Sequence, residues 1–188
     1  IKNFLGHVML WFLMGCQPTP PVIVETDKRP DIVLITIDTL RADRIGAYGD
    51  TLARTPNLDK LAQEGWLYTE SHSVTPLTLP SHTSILTGLL PKEHGIRDNA
   101  GFSLDEKHLT IAEALSTSGY STAAFVSAFV LSHSWGLDQG FDLYHDPFHP
   151  RDLLEVAAFG EAQLPSVEVL NVATQWWKKQ PSGTPKFA

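Results

Sequence analysis

Three polar side chains stand where the chain could carry out hydrolytic chemistry. Asp38 ends an apolar run, and a carboxylate at the tip of a buried strand is rigidly held and well placed to bind a hard cation. Thr78 stands two residues before Pro80, a residue that favours a helix start. A helix N-terminus offers free N–H groups and a positive dipole end, which favour a phosphate or sulfate group.

A threonine hydroxyl needs activation before it can act as a nucleophile, and metal coordination is one route. Asn99, in the segment HGIRDN, could donate its amide to an anionic oxygen. Each residue also has an ordinary structural interpretation: Asp38 as a turn cap, Thr78 as a helix N-cap and Asn99 as a turn former. The local sequence leaves both interpretations open.

The segments around these residues alternate between strand and helix patterns. Residues 31–38 (DIVLITID) form a nearly continuous β-branched apolar run, typical of a strand buried on both faces of a parallel sheet. The other predicted elements are strands over residues 66–71 and 120–126 and helices from Thr55-Pro56 to Gly65 and over residues 80–87, 109–118 and 167–179. This alternation predicts an α/β fold with a mostly parallel central sheet and helices on both faces. Its active site would lie at the carboxyl ends of the strands.

Composition narrows the class of protein. The chain has 188 residues, of which 43% are hydrophobic and 19% charged, which suits one globular domain or a large part of one. Its formal net charge is −7 and it has no long basic run, so nucleic acid is not an expected partner. A single cysteine, Cys16, excludes an intramolecular disulfide and a Cys-rich zinc site.

The first thirty residues have the pattern of an export segment. Residues 4–14 are mostly apolar but too few to span a bilayer, and they lead to LMGC, which resembles a bacterial lipobox. We therefore predict a lipoprotein-type signal peptide over residues 1–16, with lipidation at Cys16 and membrane anchoring at the bacterial cell envelope. A plain signal peptide and a buried strand are the alternatives. Residues 17–30 contain four prolines and form the predicted tether to a domain over residues 31–188.

Four sequence blocks, in order, resemble the amino-terminal half of a sulfatase-type domain of the alkaline phosphatase superfamily. They are residues 31–49, 55–65, 78–95 and 119–124. The resemblance implies an alkaline phosphatase-like fold, of which this chain would be the N-terminal portion, truncated at its C-terminus. It also implies hydrolysis of an anionic sulfuric or phosphoric ester through a covalent intermediate on Thr78. Asp38 and Thr78 would bind divalent metal ions (Zn, Ca, Mg or Mn), with further ligands beyond Ala188, so the fragment itself is expected to be inactive.

The sequence departs from the type I sulfatases of this superfamily at the nucleophile. Their Cys-x-Pro-x-Arg motif, whose Cys or Ser becomes formylglycine, falls here on TLPSH, and Thr78 cannot be converted. A family lysine also has no counterpart in residues 126–130. TLPSH is closer to the Thr-Phe-Pro-Asn-His context of nucleotide pyrophosphatase/phosphodiesterases, and Asn99 matches the asparagine with which those enzymes bind the non-bridging oxygen. The resemblance thus favours a phosphodiesterase-like enzyme over a true sulfatase.

Several assignments stay open at this point. His82 stands at the position of the sulfatase Arg, where a contact with the nucleophile or substrate and a packing role are both possible. Arg41, Asp43 and His94 are expected to be structural. Two other functions fit the resemblance: a phospho-headgroup transferase of the same fold, and a non-catalytic surface lipoprotein.

Overall fold

A computed structural model describes residues 29–148 and 163–188 of the chain. Five α-helices lie in these residues: α1 Pro56–Glu64, α2 Thr78–Thr87, α3 Pro91–His94, α4 Ile111–Thr117 and α5 Ser166–Lys179. Three strands accompany them: β1 Ser121–Phe125, β2 Leu143–His145 and β3 Lys186–Phe187. Short 3-10 turns cover Ala42–Arg44, Gly46–Tyr48, Phe129–Leu131 and His133–Trp135. The predicted signal peptide, and all but the last two residues of the predicted tether, lie outside the described residues.

The strands form a parallel sheet in the order β2-β1-β3. In its register Ala123 of β1 lies beside Leu143 of β2, and Thr122 lies beside Phe187 of β3. Ile32 forms a parallel bridge with Phe187, which adds the segment before Asp38 to the outer side of β3. The three strands and the segment around Ile32 therefore all have their carboxyl ends at the same edge of the sheet. The predicted α/β class with a mostly parallel sheet is confirmed.

Residues 31–38 differ from the strand that their apolar run predicts. Backbone bonds join Ile32 to Lys186 and Leu34 to Ala188, and no regular strand is formed. Ile35 is 72% exposed and Ile37 53% exposed, so the prediction of burial on both faces is wrong for the described part of the chain. Within the described residues, the backbone of this stretch pairs with its neighbour only at Ile32 and Leu34.

Helix starts follow the sequence closely. α1 begins at Pro56, as predicted, and ends before Gly65. α4 begins after Thr110, whose hydroxyl accepts from the Glu113 N–H while the Glu113 carboxylate accepts from the Thr110 N–H. This reciprocal cap satisfies two backbone donors that the first turn cannot pair internally.

Two strand assignments differ from the prediction. Residues 66–71, predicted as a strand, contain no strand, and Trp66 is 87% exposed. In contrast, β2 is a strand that no sequence pattern indicated. A three-residue strand is defined by its pairing with β1 and is too short to show an alternation of its own.

Two apolar clusters hold the elements together. Leu79, Ile96, Leu104 and Leu137 form one beneath the start of α2, and Ala112, Tyr120 and Phe187 form the other, between α4 and the sheet. α5 packs on β1, where the rings of Phe125 and Trp176 lie 5.9 Å apart. No helix in residues 29–148 or 163–188 is long and apolar enough to cross a bilayer.

Candidate active site

The hydroxyl of Thr78 faces the carboxylate of Asp38. Thr78 Oγ1 lies 3.2 Å from Asp38 Oδ1 and 3.3 Å from Oδ2, although 40 residues separate the two in sequence. Asp38 is exposed and Thr78 is half-buried. The structure thus brings together the two residues that the sequence indicated as nucleophile and metal ligand.

Thr78 is the first residue of α2 and not the N-cap that one interpretation of the sequence assigned to it. The N-cap is Leu77, in an extended conformation and with no side-chain cap. The hydroxyl of Thr78 is therefore not used to cap its own helix and can turn towards Asp38. Leu79 and Pro80 are buried directly behind it, so packing fixes the position of the threonine.

The predicted array of free N–H groups at this helix start is largely absent. The Leu79 N–H donates to Asn99 Oδ1 at 3.0 Å, and the Ser81 N–H donates to the Leu77 carbonyl at 3.0 Å. Pro80 carries no N–H. Of the first four helical residues, only Thr78 keeps an N–H that could face an anion, so the expectation of an anion site made of several backbone amides is wrong.

Asn99 lies at the same helix start. Because the Leu79 N–H can only donate, the atom it meets must be the amide oxygen of Asn99, which leaves the Nδ2 group with its two hydrogens as a donor. The loop that carries Asn99 is fixed at Ile96, which is 1% exposed. A buried anchor three residues away therefore holds the amide in place.

His94 has a structural role at the start of that loop. It is 3% exposed, its Nδ1 accepts from the Ile96 N–H, and its Nε2 lies 3.0 Å from Ser84 Oγ. Burial lowers the pKa of His94, with the neighbouring His108 acting in the same direction. The side chain ties α3 to α2 and does not reach the Thr78–Asp38 pair through any of these contacts.

His82 contacts both catalytic segments through its ring nitrogens. Nδ1 lies 2.8 Å from the Thr78 carbonyl oxygen, and Nε2 lies 3.0 Å from Thr36 Oγ1. The ring meets the backbone of Thr78 and not its hydroxyl. Sequence reasoning missed Thr36, although its position two residues before Asp38 puts it on the same side of an extended chain.

The turn after Asp38 is strained. Thr39 has a φ of 55°, the left-handed region that a β-branched residue rarely adopts. Arg41 and Asp43 follow as an exposed ion pair, in which the hydrogen bond from Arg41 lowers the pKa of Asp43. The strain therefore falls on the residue that sets the direction in which the chain leaves the Asp38 carboxylate.

The donor atoms at Asp38 and Thr78 fit part of a divalent-metal site. Two carboxylate oxygens and one hydroxyl oxygen converge within 3.3 Å of one another, and hard divalent cations prefer oxygen ligands. No group of three or more His, Cys, Asp or Glu side chains in residues 29–148 and 163–188 could hold a metal ion. The two residues would thus supply only part of a ligand set.

The domain is thus a parallel α/β fold in which a threonine on a helix faces the carboxylate of Asp38, at the end of an extended segment. The sequence model of the Sulfatase family matches residues 30–187. The chain therefore belongs to the sulfatase family.

Curated relatives agree with this membership. The chain is 35% identical over 115 residues to an N-acetylglucosamine-6-O-sulfatase of Bacteroides thetaiotaomicron, which covers 61% of the chain and 20% of the relative. It is 30% identical over 209 residues to an ulvan-active sulfatase of Formosa agariphila, covering 98% of the chain and 39% of the relative. The chain thus spans between a fifth and two fifths of the length of these relatives.

Solved structures show the same fold. A protein determined in complex with its substrate D-glucosamine-2-N,6-O-disulfate matches 85% of the chain and 33% of its own length, with a TM-score of 0.69 and 25% identity. A protein of the alkaline phosphatase superfamily from Vibrio parahaemolyticus matches 85% of the chain and 40% of its own length, with a TM-score of 0.59 and 23% identity. The predicted alkaline phosphatase-like fold is confirmed.

Proposed function

We propose that the protein to which this chain belongs hydrolyses sulfuric or phosphoric esters, with Thr78 as its nucleophile. The observation that carries the proposal is the contact between the Thr78 hydroxyl and both carboxylate oxygens of Asp38. Membership of the sulfatase family supports the ester-hydrolase class.

The proposed reaction has two displacement steps. Thr78 Oγ1 forms a bond to phosphorus or sulfur as the bond to the ester oxygen breaks, and the leaving oxygen takes up a proton. Water then attacks the phospho- or sulfo-threonine and restores the hydroxyl. Divalent metal ions held in part by Asp38 and Thr78 would supply Lewis-acid chemistry, which favours the deprotonated hydroxyl and offsets negative charge.

Asn99 has a defined task in this scheme. Its Oδ1 is occupied by the Leu79 N–H, so its Nδ2 hydrogens would donate to a non-bridging oxygen of the substrate. Because the Leu79 and Ser81 N–H groups are already paired and Pro80 has none, this side chain would add to the Thr78 N–H as a donor at the start of α2.

Two substrate classes follow from different observations. Thr78 stands where type I sulfatases carry a residue that becomes formylglycine, and this favours a phosphate diester as substrate. The relatives named as sulfatases, among them one active on ulvan, favour a sulfate ester as the second candidate. Lipidation at Cys16 and export to the bacterial cell envelope belong to the proposal on sequence grounds.

The test uses the protein expressed from its complete reading frame without residues 1–16. Wild-type protein, Thr78→Ala, and Thr117→Ala as a control at an exposed position of α4 would be assayed on nitrophenyl sulfate, nitrophenyl phosphate and bis(nitrophenyl) phosphate, with and without chelator. We expect metal-dependent turnover of the bis-phosphate that Thr78→Ala abolishes and Thr117→Ala retains. Full activity of Thr78→Ala would refute the threonine mechanism, and turnover of the sulfate alone would establish the second candidate.

A further inference from the structure

We propose that His82 is a positioning residue that sets the separation between Thr78 and Asp38 by bridging the two segments that carry them. The inference rests on the proposed function, because it concerns how the nucleophile meets its carboxylate partner. It assigns His82 no proton transfer with the substrate.

The chemistry of the two contacts fixes the tautomer of the neutral ring. A carbonyl oxygen can only accept, so His82 Nδ1 must carry the hydrogen that it shares with the Thr78 carbonyl at 2.8 Å. In the neutral ring Nε2 then accepts from the Thr36 hydroxyl at 3.0 Å. Both nitrogens are engaged and neither lies on the Thr78 hydroxyl, so the ring in this arrangement is not the base that deprotonates the nucleophile.

The bridge joins positions next to the two catalytic groups. His82 follows Thr78 by one helical turn, and Thr36 precedes Asp38 by two residues on the same side of the chain. In the described part of the chain, side-chain hydrogen bonds link residues 35–40 to α2 at two places. One is the Thr78–Asp38 contact itself, and the other is the contact between His82 and Thr36.

The contact between His82 and Thr36 lies beyond the last backbone pairing of the Asp38 segment with β3 and Ala188 in the described chain, which is the bond from the Leu34 N–H to the Ala188 carbonyl. A planar ring with both nitrogens bonded is a stiff spacer between the segment and the buried start of α2.

Substitutions can separate the two hydrogen bonds of the bridge, the Thr78 arm (at Nδ1) and the Thr36 arm (at Nε2). Asn at position 82 places an amide near the Nδ1 position and Gln near the Nε2 position, so His82→Asn preserves the Thr78 arm and His82→Gln the Thr36 arm. These variants, His82→Ala, Thr36→Val and the double variant His82→Ala/Thr36→Val would be made in the full-length protein. His108→Ala is the matched control, since no side-chain hydrogen bond joins His108 to either segment in the described structure.

We expect His82→Ala to lower kcat by about 10- to 100-fold with KM within about twofold, because small misplacements of reacting groups cost rates of this size. Thr36→Val should lower kcat in the same way, and the double variant should be no worse than His82→Ala. His82→Asn and His82→Gln should each recover part of the loss. A wild-type kcat in both His82→Ala and Thr36→Val would overturn the positioning role, as would additive losses in the double variant.

A second readout does not depend on activity. Amide hydrogen exchange in the metal-free protein should become faster over residues 36–40 and at the start of α2 in His82→Ala and Thr36→Val, with α4 unchanged. Unchanged exchange at both segments would refute the bridge even in an inactive protein. If Thr78→Ala is inactive while His82→Ala matches wild type, the positioning role fails alone; if Thr78→Ala is fully active, the proposed function fails instead.

Discussion

Asn99 and Leu79 are joined by a hydrogen bond that makes one side chain serve two purposes. The Asn99 amide oxygen accepts the Leu79 N–H at 3.0 Å, and the amide nitrogen keeps its two hydrogens as a donor group. The start of α2 and the proposed oxyanion donor therefore depend on one orientation of one amide.

Asn99→Asp and Asn99→Ala should separate these purposes. An aspartate keeps an acceptor for the Leu79 N–H but replaces the donor with a negative charge, so we expect stability near wild type and a kcat lowered by about 100- to 1000-fold. Asn99→Ala should lose both activity and about 1 kcal/mol of unfolding free energy, because the helix loses a cap. Steady-state kinetics and urea denaturation measure the two effects, and an Asn99→Asp variant with full kcat would contradict the donor role.

Asp38→Asn should weaken metal binding. The substitution removes the charge of a proposed metal ligand while keeping its shape, and we expect affinity for Zn, Mg, Ca or Mn to fall by more than about tenfold. Isothermal titration calorimetry on the full-length protein measures this directly. Asp43→Asn is the matched control, since that carboxylate is exposed and paired with Arg41. Equal affinities in wild type and Asp38→Asn would remove Asp38 from the ligand set.

Thr39→Gly should stabilise the protein by about 1 kcal/mol. Thr39 has a φ of 55°, which costs a non-glycine residue about 1–2 kcal/mol, and glycine adopts this region freely at some cost in chain entropy. Chemical denaturation measures the gain. Thr75→Gly is the control. Thr39 alone among the described non-glycine residues has a positive φ, so glycine relieves no strain at position 75 and should destabilise the protein there. A loss of stability in Thr39→Gly would show that its side chain contributes more than the strain costs.

His94 should make stability fall in mild acid. Burial lowers its pKa in the folded protein, whereas the unfolded chain binds a proton near the ordinary value of about 6.5. Below that pH the unfolded state takes up more protons, so the His94 contribution is complete above about pH 6.5 and is lost as the pH falls towards the lower folded pKa. Unfolding free energies from pH 5 to 8 should depend less on pH in His94→Gln. The exposed His72→Gln serves as the control and should follow wild type.

Sequence could indicate the residues of the candidate site because the signals are local. Pro56 marks the start of α1, Pro80 lies in the first turn of α2, and the ordered blocks around Asp38 and Thr78 identify the family without any knowledge of contacts. The contact between His82 and Thr36 spans 46 residues and exists only after folding, so no local pattern reveals it. Sequence likewise could not show which backbone N–H groups at the start of α2 are already hydrogen-bonded, because Asn99 accepts from one of them across 20 residues of sequence.

The strand predictions failed for a related reason. The apolar run before Asp38 reports what its residues prefer, whereas a strand also requires a neighbour along its whole length. β3 and Ala188 pair with Ile32 and Leu34 and no further in the described chain. Residues 66–71 likewise have strand-forming side chains and no neighbouring strand.

The stretch that ends at Asp38 gives the two halves of the candidate site unequal protection within the described chain. Thr78 stands next to Leu79, which is fully buried, whereas Asp38 follows residues whose backbone pairs with β3 and Ala188 only as far as Leu34. In the 188-residue chain, amide protons around Asp38 should therefore exchange with solvent faster than those at the start of α2.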